Sequence, residues 1–242
     1  MPPSDPSAAG FFDAHCHLGQ PAASVGWQVL CGTSEADWGA VLQRAASQTG
    51  AEPGQILPML GLHPWQVPAA SSRWAEQLES LLRSHQAGLG ECGLDFAHED
   101  ADRAAQEAAF RLQLRWAQTL HRPVAIHAVR AWGRLIDLLR EEGVPAAGAM
   151  VHAFGGSPET ARTLQDMGLY LSFSASLLKP GRDRLRAALA VVEENRLLLE
   201  TDGAADLAAV IVEAARLRGV PAEELAARTC ENGKRCFKEL MA

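Results

Sequence analysis

No apolar run in this 242-residue chain approaches the roughly 18 residues needed to cross a bilayer, so no membrane partner is expected. The five cysteines (Cys16, Cys31, Cys92, Cys230 and Cys236) have neither an even count nor CxxC spacing. That argues against a disulfide framework and for a reducing, cytoplasmic setting. The opening Met1-Pro2-Pro3-Ser4-Asp5-Pro6-Ser7 contains no basic stretch and no apolar one, so it does not read as a secretory signal. Residues 1–10 are instead expected to form a flexible arm. A cationic excess is missing too: the net charge is -7 and the isoelectric point about 5.6. This speaks against a broad electrostatic footprint on nucleic acid, so any such contact should be short and centred on a site. Apolar residues at 48% and charged residues at 21% describe an ordinary globular protein. The length suits one α/β barrel, which commonly takes roughly 250 residues.

Strand-like segments recur along the chain at 11–15, 27–31, 56–60, 87–91, 124–127, 149–152, 169–173 and 196–200. Helical patterns separate most of them, at 101–120, 132–142, after the Ser157-Pro158 cap, and at 206–218, 222–227 and 231–240. Eight strands alternating with helices predict a closed parallel (β/α)8 TIM barrel, a single domain over residues 11–242. Between the first two strands, Gly19 to Gly26 leaves too little chain for a helical crossover, so either the first barrel helix is missing or the barrel is distorted there.

Polar residues collect at the ends of these strands. His15 and His17 flank Cys16 at positions i and i+2, which on a strand face the same way. Glu91, His127, His152 and Asp202 each stand where an apolar run stops. In a barrel of this type such ends converge on one pocket. Mixed imidazole and carboxylate groups suit Zn²⁺, Mn²⁺ or Fe²⁺, and the carboxylates admit Mg²⁺. Six groups exceed what one catalytic zinc takes and fit two divalent ions about 3.5–4 Å apart. Glu91 is then expected to bridge the ions, and Asp202 to bind one and to orient or deprotonate the attacking water. A lone histidine at a strand end is more often structural than a ligand, and His85, His98 and His121 are read that way. Six groups at five strand ends do not fit that plain reading.

Other polar residues rank below these as substrate contacts. His63, in Gly61-Leu62-His63-Pro64, follows the third strand and either meets substrate or fixes its loop. Arg130 and Lys179 are candidates for phosphate, with an acidic partner on a helix the other use for Arg130. Phe154 and Trp65 are candidates to stack a base or sugar, with packing as the plainer role.

The ordered set Asp13-Ala14-His15-Cys16-His17-Leu18, Gly61-Leu62-His63-Pro64, Gly90-Glu91-Cys92-Gly93-Leu94-Asp95, Pro123-Val124-Ala125-Ile126-His127, His152-Ala153-Phe154-Gly155-Gly156 and Glu200-Thr201-Asp202 resembles the TatD family of metal-dependent hydrolases. The resemblance spans residues 12–240 and includes the closing Asn232-Gly233-Lys234-Arg235-Cys236-Phe237. It implies an amidohydrolase-type barrel with a two-metal site loaded with Mg²⁺, Mn²⁺ or Zn²⁺. It also implies deoxyribonuclease activity, often exonucleolytic from the 3′ end. The ligands it carries over are His15, His17, Glu91, His127, His152 and Asp202. One departure follows Asp202, where the family usually has a long substrate-lining loop and this chain runs Gly203-Ala204-Ala205-Asp206-Leu207 into a helix. The expected substrates are therefore DNA ends or, alternatively, a small phosphodiester, ester, amide or lactone. A scaffold that keeps metal for stability is a third reading, opposed by the intact ligand set.

Overall fold

The computed structural model describes residues 10–19, 26–47, 55–97, 101–203 and 206–241. Most of the expected N-terminal arm, residues 20–25 and His98 lie outside the described residues. Eight parallel strands pair in chain order: β1 (Phe12–Cys16), β2 (Trp27–Cys31), β3 (Gln55–Leu60), β4 (Gly88–Asp95), β5 (Val124–Val129), β6 (Ala149–Val151), β7 (Tyr170–Phe173) and β8 (Leu197–Leu199). Six helices cross between successive strands from β2 onward: α1 (Trp38–Ala46), α2 (Trp74–Ser84), α3 (Arg103–Thr119), α4 (Trp132–Glu142), α5 (Pro158–Asp166) and α6 (Asp183–Val191). Two more, α7 (Leu207–Arg218) and α8 (Ala222–Cys236), follow β8. The result is the expected (β/α)8 barrel. Among the described residues no helix separates β1 from β2, which pair directly from Phe12 and Trp27 onward.

All eight expected strands form, and their bounds move by a few residues. The largest change is in β4, which runs on past Glu91 to Asp95 and pairs with β5 as far as Val129. The two separate C-terminal helices expected at 222–227 and 231–240 are one continuous helix, α8, followed by a short 3-10 turn at Lys238–Leu240. Within it the Thr229 hydroxyl is satisfied by donating back to the Leu225 carbonyl at 3.0 Å.

Alternation along the strands sorts their side chains into two layers. Ile56, Leu60, Val124, Ile126, Val151, Leu171, Phe173, Leu197 and Leu199 pack outward against the helices. Leu57, Met59, Ala125, Met150, Tyr170 and Leu198 fill the barrel interior. At its N-terminal end α8 closes the barrel, with Phe237 stacked on Phe12 at 6.0 Å between ring centroids. Gly233 permits this approach, since a β-carbon there would lie 2.4 Å from the Phe12 ring. The same alternation sets the site. Continuing two residues past Ala125, Met150 and Leu198 on the inward face gives His127, His152 and Glu200.

Neighbouring strands join by main-chain ladders except at the seam between β8 and β1, where no ladder pairing occurs. There the buried Asp13 carboxylate accepts the Thr201 N–H at 2.9 Å and the Thr201 hydroxyl at 2.7 Å. The Asp202 N–H donates to the His15 carbonyl at 3.1 Å. No helix among the described residues is long and apolar enough to cross a membrane.

Candidate metal centre

Two of the strands carry a register irregularity, and both irregularities sit at ligand-bearing positions. In β1 it falls between Asp13 and Cys16, so that His15 turns inward while Cys16 packs in the helix layer with its thiol on the Val29 carbonyl. In β4 it falls between Leu89 and Cys92; both of these pack outward and Glu91 turns into the barrel. Glu91 is 2% exposed. A carboxylate this deep is stable only when paired or bound to a cation. Its neighbours divide into two sets. Oε1 lies 2.6 Å from His152 Nε2 and 2.7 Å from His127 Nδ1. Oε2 lies 3.4 Å from His15 Nε2 and 3.3 Å from His17 Nε2.

Within each set the two ring nitrogens converge, at 3.1 Å for His15 and His17 and at 3.1 Å for His127 and His152. Nitrogens bound about 2.1 Å from one shared ion are spaced roughly 2.9–3.4 Å apart in octahedral or tetrahedral geometry. The far side of two of these rings has a hydrogen-bond partner that directs its proton. His17 Nδ1 donates to the Cys31 carbonyl at 3.0 Å, and His127 Nε2 lies 3.2 Å from Asp95 Oδ2. His152 Nδ1 faces Glu200 Oε1 at 3.4 Å, and His15 Nδ1 lies 3.3 Å from the Cys31 thiol. With Nδ1 of His17 and Nε2 of His127 directed outward, the inward nitrogens of these rings, once neutral, offer lone pairs that a cation between them would stabilise. Asp202 joins His15 and His152 in a further group whose ligand atoms lie within 4.8 Å of one another. The donor set therefore fits two divalent ions.

Burial opposes charge on all of these side chains, and the neighbours decide the outcome. His152, His127 and His17 are raised above the usual imidazole range because carboxylates outweigh burial, Glu91 foremost at His152 and His17 and Asp95 ahead of Glu91 at His127. Burial prevails at His15 and His63, which are lowered. The imidazoles around Glu91 hold it well below the usual carboxylate range. Asp202 is raised by burial and by repulsion from Glu200. Cys16, Cys31 and Cys92 are pushed up by burial and stay thiols.

The six expected ligands thus come together around a cavity of about 570 Å³, whose walls include His17, His63, Trp65, Glu91, His127, His152 and Asp202. His63 differs from the other histidines. Its Nδ1 accepts the Trp65 N–H at 3.1 Å, so the neutral ring carries its proton on Nε2, 3.4 Å from Glu91 Oε1. It stands in the site as a hydrogen-bond donor. The reading of Phe154 as a stacking contact is corrected: it is 1% exposed and packs between Trp132 and Phe173, at 5.0 and 5.8 Å. The apolar layer between strands and helices claims it, as it claims Cys16. Arg130 and Lys179 are exposed and are not among the cavity's lining residues. Lys179 follows the turn Ala175–Leu178, and its carbonyl accepts from Arg186.

Two acids had no role assigned from the sequence. Asp95 sits four residues beyond Glu91 on a strand longer than expected, and it accepts from Trp65 Nε1 at 2.8 Å as well as facing His127. Glu200, fully buried, accepts the Ala153 N–H at 2.7 Å beside His152. A charged residue ending the run Leu197-Leu198-Leu199 was the available signal for the second.

A family model described as TatD related DNase matches residues 12–238. The 3′-5′ ssDNA/RNA exonuclease TatD of Edwardsiella piscicida is 39% identical over 144 residues, 59% of this chain and 55% of that protein. The match therefore spans little more than half of that relative. The protein of the same name from Erwinia tasmaniensis is 30% identical over 236 residues, 89% of each chain. Among solved structures, YjjV, a TatD homolog from Escherichia coli K12, superposes with a TM-score of 0.87 at 26% identity, covering 96% of this chain and 99% of that one. With the family model running across the whole barrel and a close superposition beside it, the chain belongs to the TatD related DNase family.

Proposed function

We propose that the protein is a metal-dependent phosphodiesterase that removes nucleotides from DNA ends, with His15, His17, Glu91, His127, His152 and Asp202 holding two divalent ions. The observation that carries this reading is Glu91, which presents one oxygen to each of two converging histidine pairs. Divalent ions held by these residues would polarise a phosphoryl oxygen and lower the pKa of a water, so that it can give up its proton at neutral pH. The chain's own groups do the rest. Glu91, anionic throughout, fixes the separation of the two histidine pairs. Asp202, grouped with His15 and His152 at the end of β8, is placed to orient the attacking water and take its proton. His63 offers its Nε2–H to the phosphate as negative charge shifts onto the leaving oxygen. A cavity of about 570 Å³ suits one nucleotide and its phosphate, which favours a strand end over a continuous duplex. The exonuclease names of the Edwardsiella and Erwinia relatives support the same substrate.

The short step from Asp202 to the cap Asp206 of α7 favours a second reading, a hydrolase of a small ester, amide or lactone. Digestion of 3′-labelled and 5′-labelled single-stranded DNA by protein loaded with Mg²⁺, Mn²⁺ or Zn²⁺ decides between them. Stepwise loss from the 3′ end is expected, falling at least about 1,000-fold in Glu91→Gln and Asp202→Asn. Intact DNA with fully loaded protein would transfer the assignment to the small substrate.

A further inference from the structure

Four large apolar side chains among those described stand well exposed, and Trp65 is the one aromatic of the four, at 60%. Exposure on that scale normally accompanies a mobile side chain, yet this indole is held. Its Nε1–H donates to Asp95 Oδ2 at 2.8 Å, and its backbone N–H donates to His63 Nδ1 at 3.1 Å. The ring meets His63 edge-on at 5.0 Å and His127 at 6.3 Å. Its segment is the proline-bounded 3-10 turn Pro64–Ala69, with Pro64 at the first position and Pro68 inside. The indole is thus held in place beside the candidate metal centre with 60% of its surface exposed, and a held aromatic lowers the entropic cost of binding.

Trp65 is also a wall between two cavities. One is the metal cavity. The other, of about 380 Å³, is lined by Pro64, Trp65, Val67 and Pro68 together with Asp95, Asp102 and Gln106. Apolar walls do not solvate a phosphate and the Asp102 carboxylate repels it, so the anionic part of a nucleotide belongs on the metal side. The neutral, planar part is left for this one. We propose that this second cavity is a nucleobase subsite in which the base of the nucleotide whose phosphate is cleaved stacks on the Trp65 indole. The inference rests on the phosphodiesterase reading for the identity of the ligand, while the site itself stands on the held indole and the adjoining cavity.

Two measurements test it. In the first, tryptophan fluorescence of the metal-loaded protein is titrated with deoxyadenosine 5′-monophosphate and with deoxyribose 5-phosphate. Saturable quenching by the nucleotide alone is expected, and its loss in Trp65→Phe. In the second, cleavage is compared between an oligonucleotide with a normal terminal nucleotide and one whose terminal nucleotide is abasic. Base stacking on an aromatic side chain is worth about tenfold or more in affinity. Trp65→Leu should therefore lower kcat/KM on the normal substrate at least about tenfold more than on the abasic one. An equal fall on both substrates would overturn the proposal, because the indole would then act through Asp95 on His127 alone. Equal quenching by the base-free sugar phosphate would overturn it too. Base-dependent, saturable quenching without cleavage of any diester would retain the subsite and remove the phosphodiesterase reading, so the two failures are separable.

Discussion

Asp95 and Glu200 touch no expected metal position, yet each stands behind a histidine that does. A carboxylate behind a metal-binding imidazole sets its tautomer and ring angle, and its loss typically costs 10–100-fold in metal affinity. Asp95→Asn and Glu200→Gln should each weaken metal binding by about that factor in competition titrations against a chromophoric chelator. Asp95→Asn should act on the His127 side and Glu200→Gln on the His152 side. Unchanged affinity in both variants would reduce these acids to packing roles. The sequence made the directly facing groups legible because each interrupts an apolar run at a strand end. It hid Asp95 because the expected strand stopped at Glu91, whereas pairing with β5 carries β4 on to Asp95. It misplaced Phe154 because a rim position says nothing of which layer a side chain enters. That is settled by the rings of Trp132 and Phe173, which come from other segments.

Elements meet along the barrel through main-chain ladders, and the seam between β8 and β1 is held differently. There the Asp13 side chain stands in for a ladder by taking both the N–H and the hydroxyl of Thr201. Asp13→Ala leaves a buried N–H and hydroxyl without their acceptor, at about 1–3 kcal/mol for each unsatisfied group. A loss of about 2–5 kcal/mol in chemical denaturation is expected, together with weaker metal binding, since His15 and Asp202 adjoin the same seam. Asp13→Asn, which keeps one acceptor oxygen, should lose less. Equal stability of Asp13→Ala and the native protein would mean that the main chain alone closes the barrel. The eight-strand pattern was legible from alternating apolar runs, whereas the expectation that the first helix is missing falls on residues 20–25, outside the described residues. The seam was not legible, because Asp13 and Thr201 lie 188 residues apart and only barrel closure brings them together.

At the scale of the whole molecule, the proposed metal centre would tie together β1, β4, β5, β6 and the end of β8, so its occupancy should govern global stability. Without cations, His152, His127 and His17 hold protons above their usual range because Glu91 and its neighbours attract them. A group whose folded pKa is raised stabilises the fold below its unfolded value, near 6.5, and that contribution fades as pH rises through the folded value. Cations reverse the requirement, since they bind the neutral rings and must displace these protons. The metal-free protein should therefore lose the stabilisation from these three histidines above about pH 6.5, while metal affinity rises over the same range. At an ion concentration of about 100 Kd, binding contributes about 2.7 kcal/mol. For a chain of this length that corresponds to roughly 5–10 °C in Tm. The Tm gain on adding Mn²⁺ or Zn²⁺ should be larger at pH 8 than at pH 6, with proton release visible as a buffer-dependent heat in calorimetry. In Glu91→Gln, which removes the charge common to both histidine pairs, both the gain and the proton release should largely disappear. A Tm gain independent of pH and retained in Glu91→Gln would place the stabilising ions elsewhere on the protein.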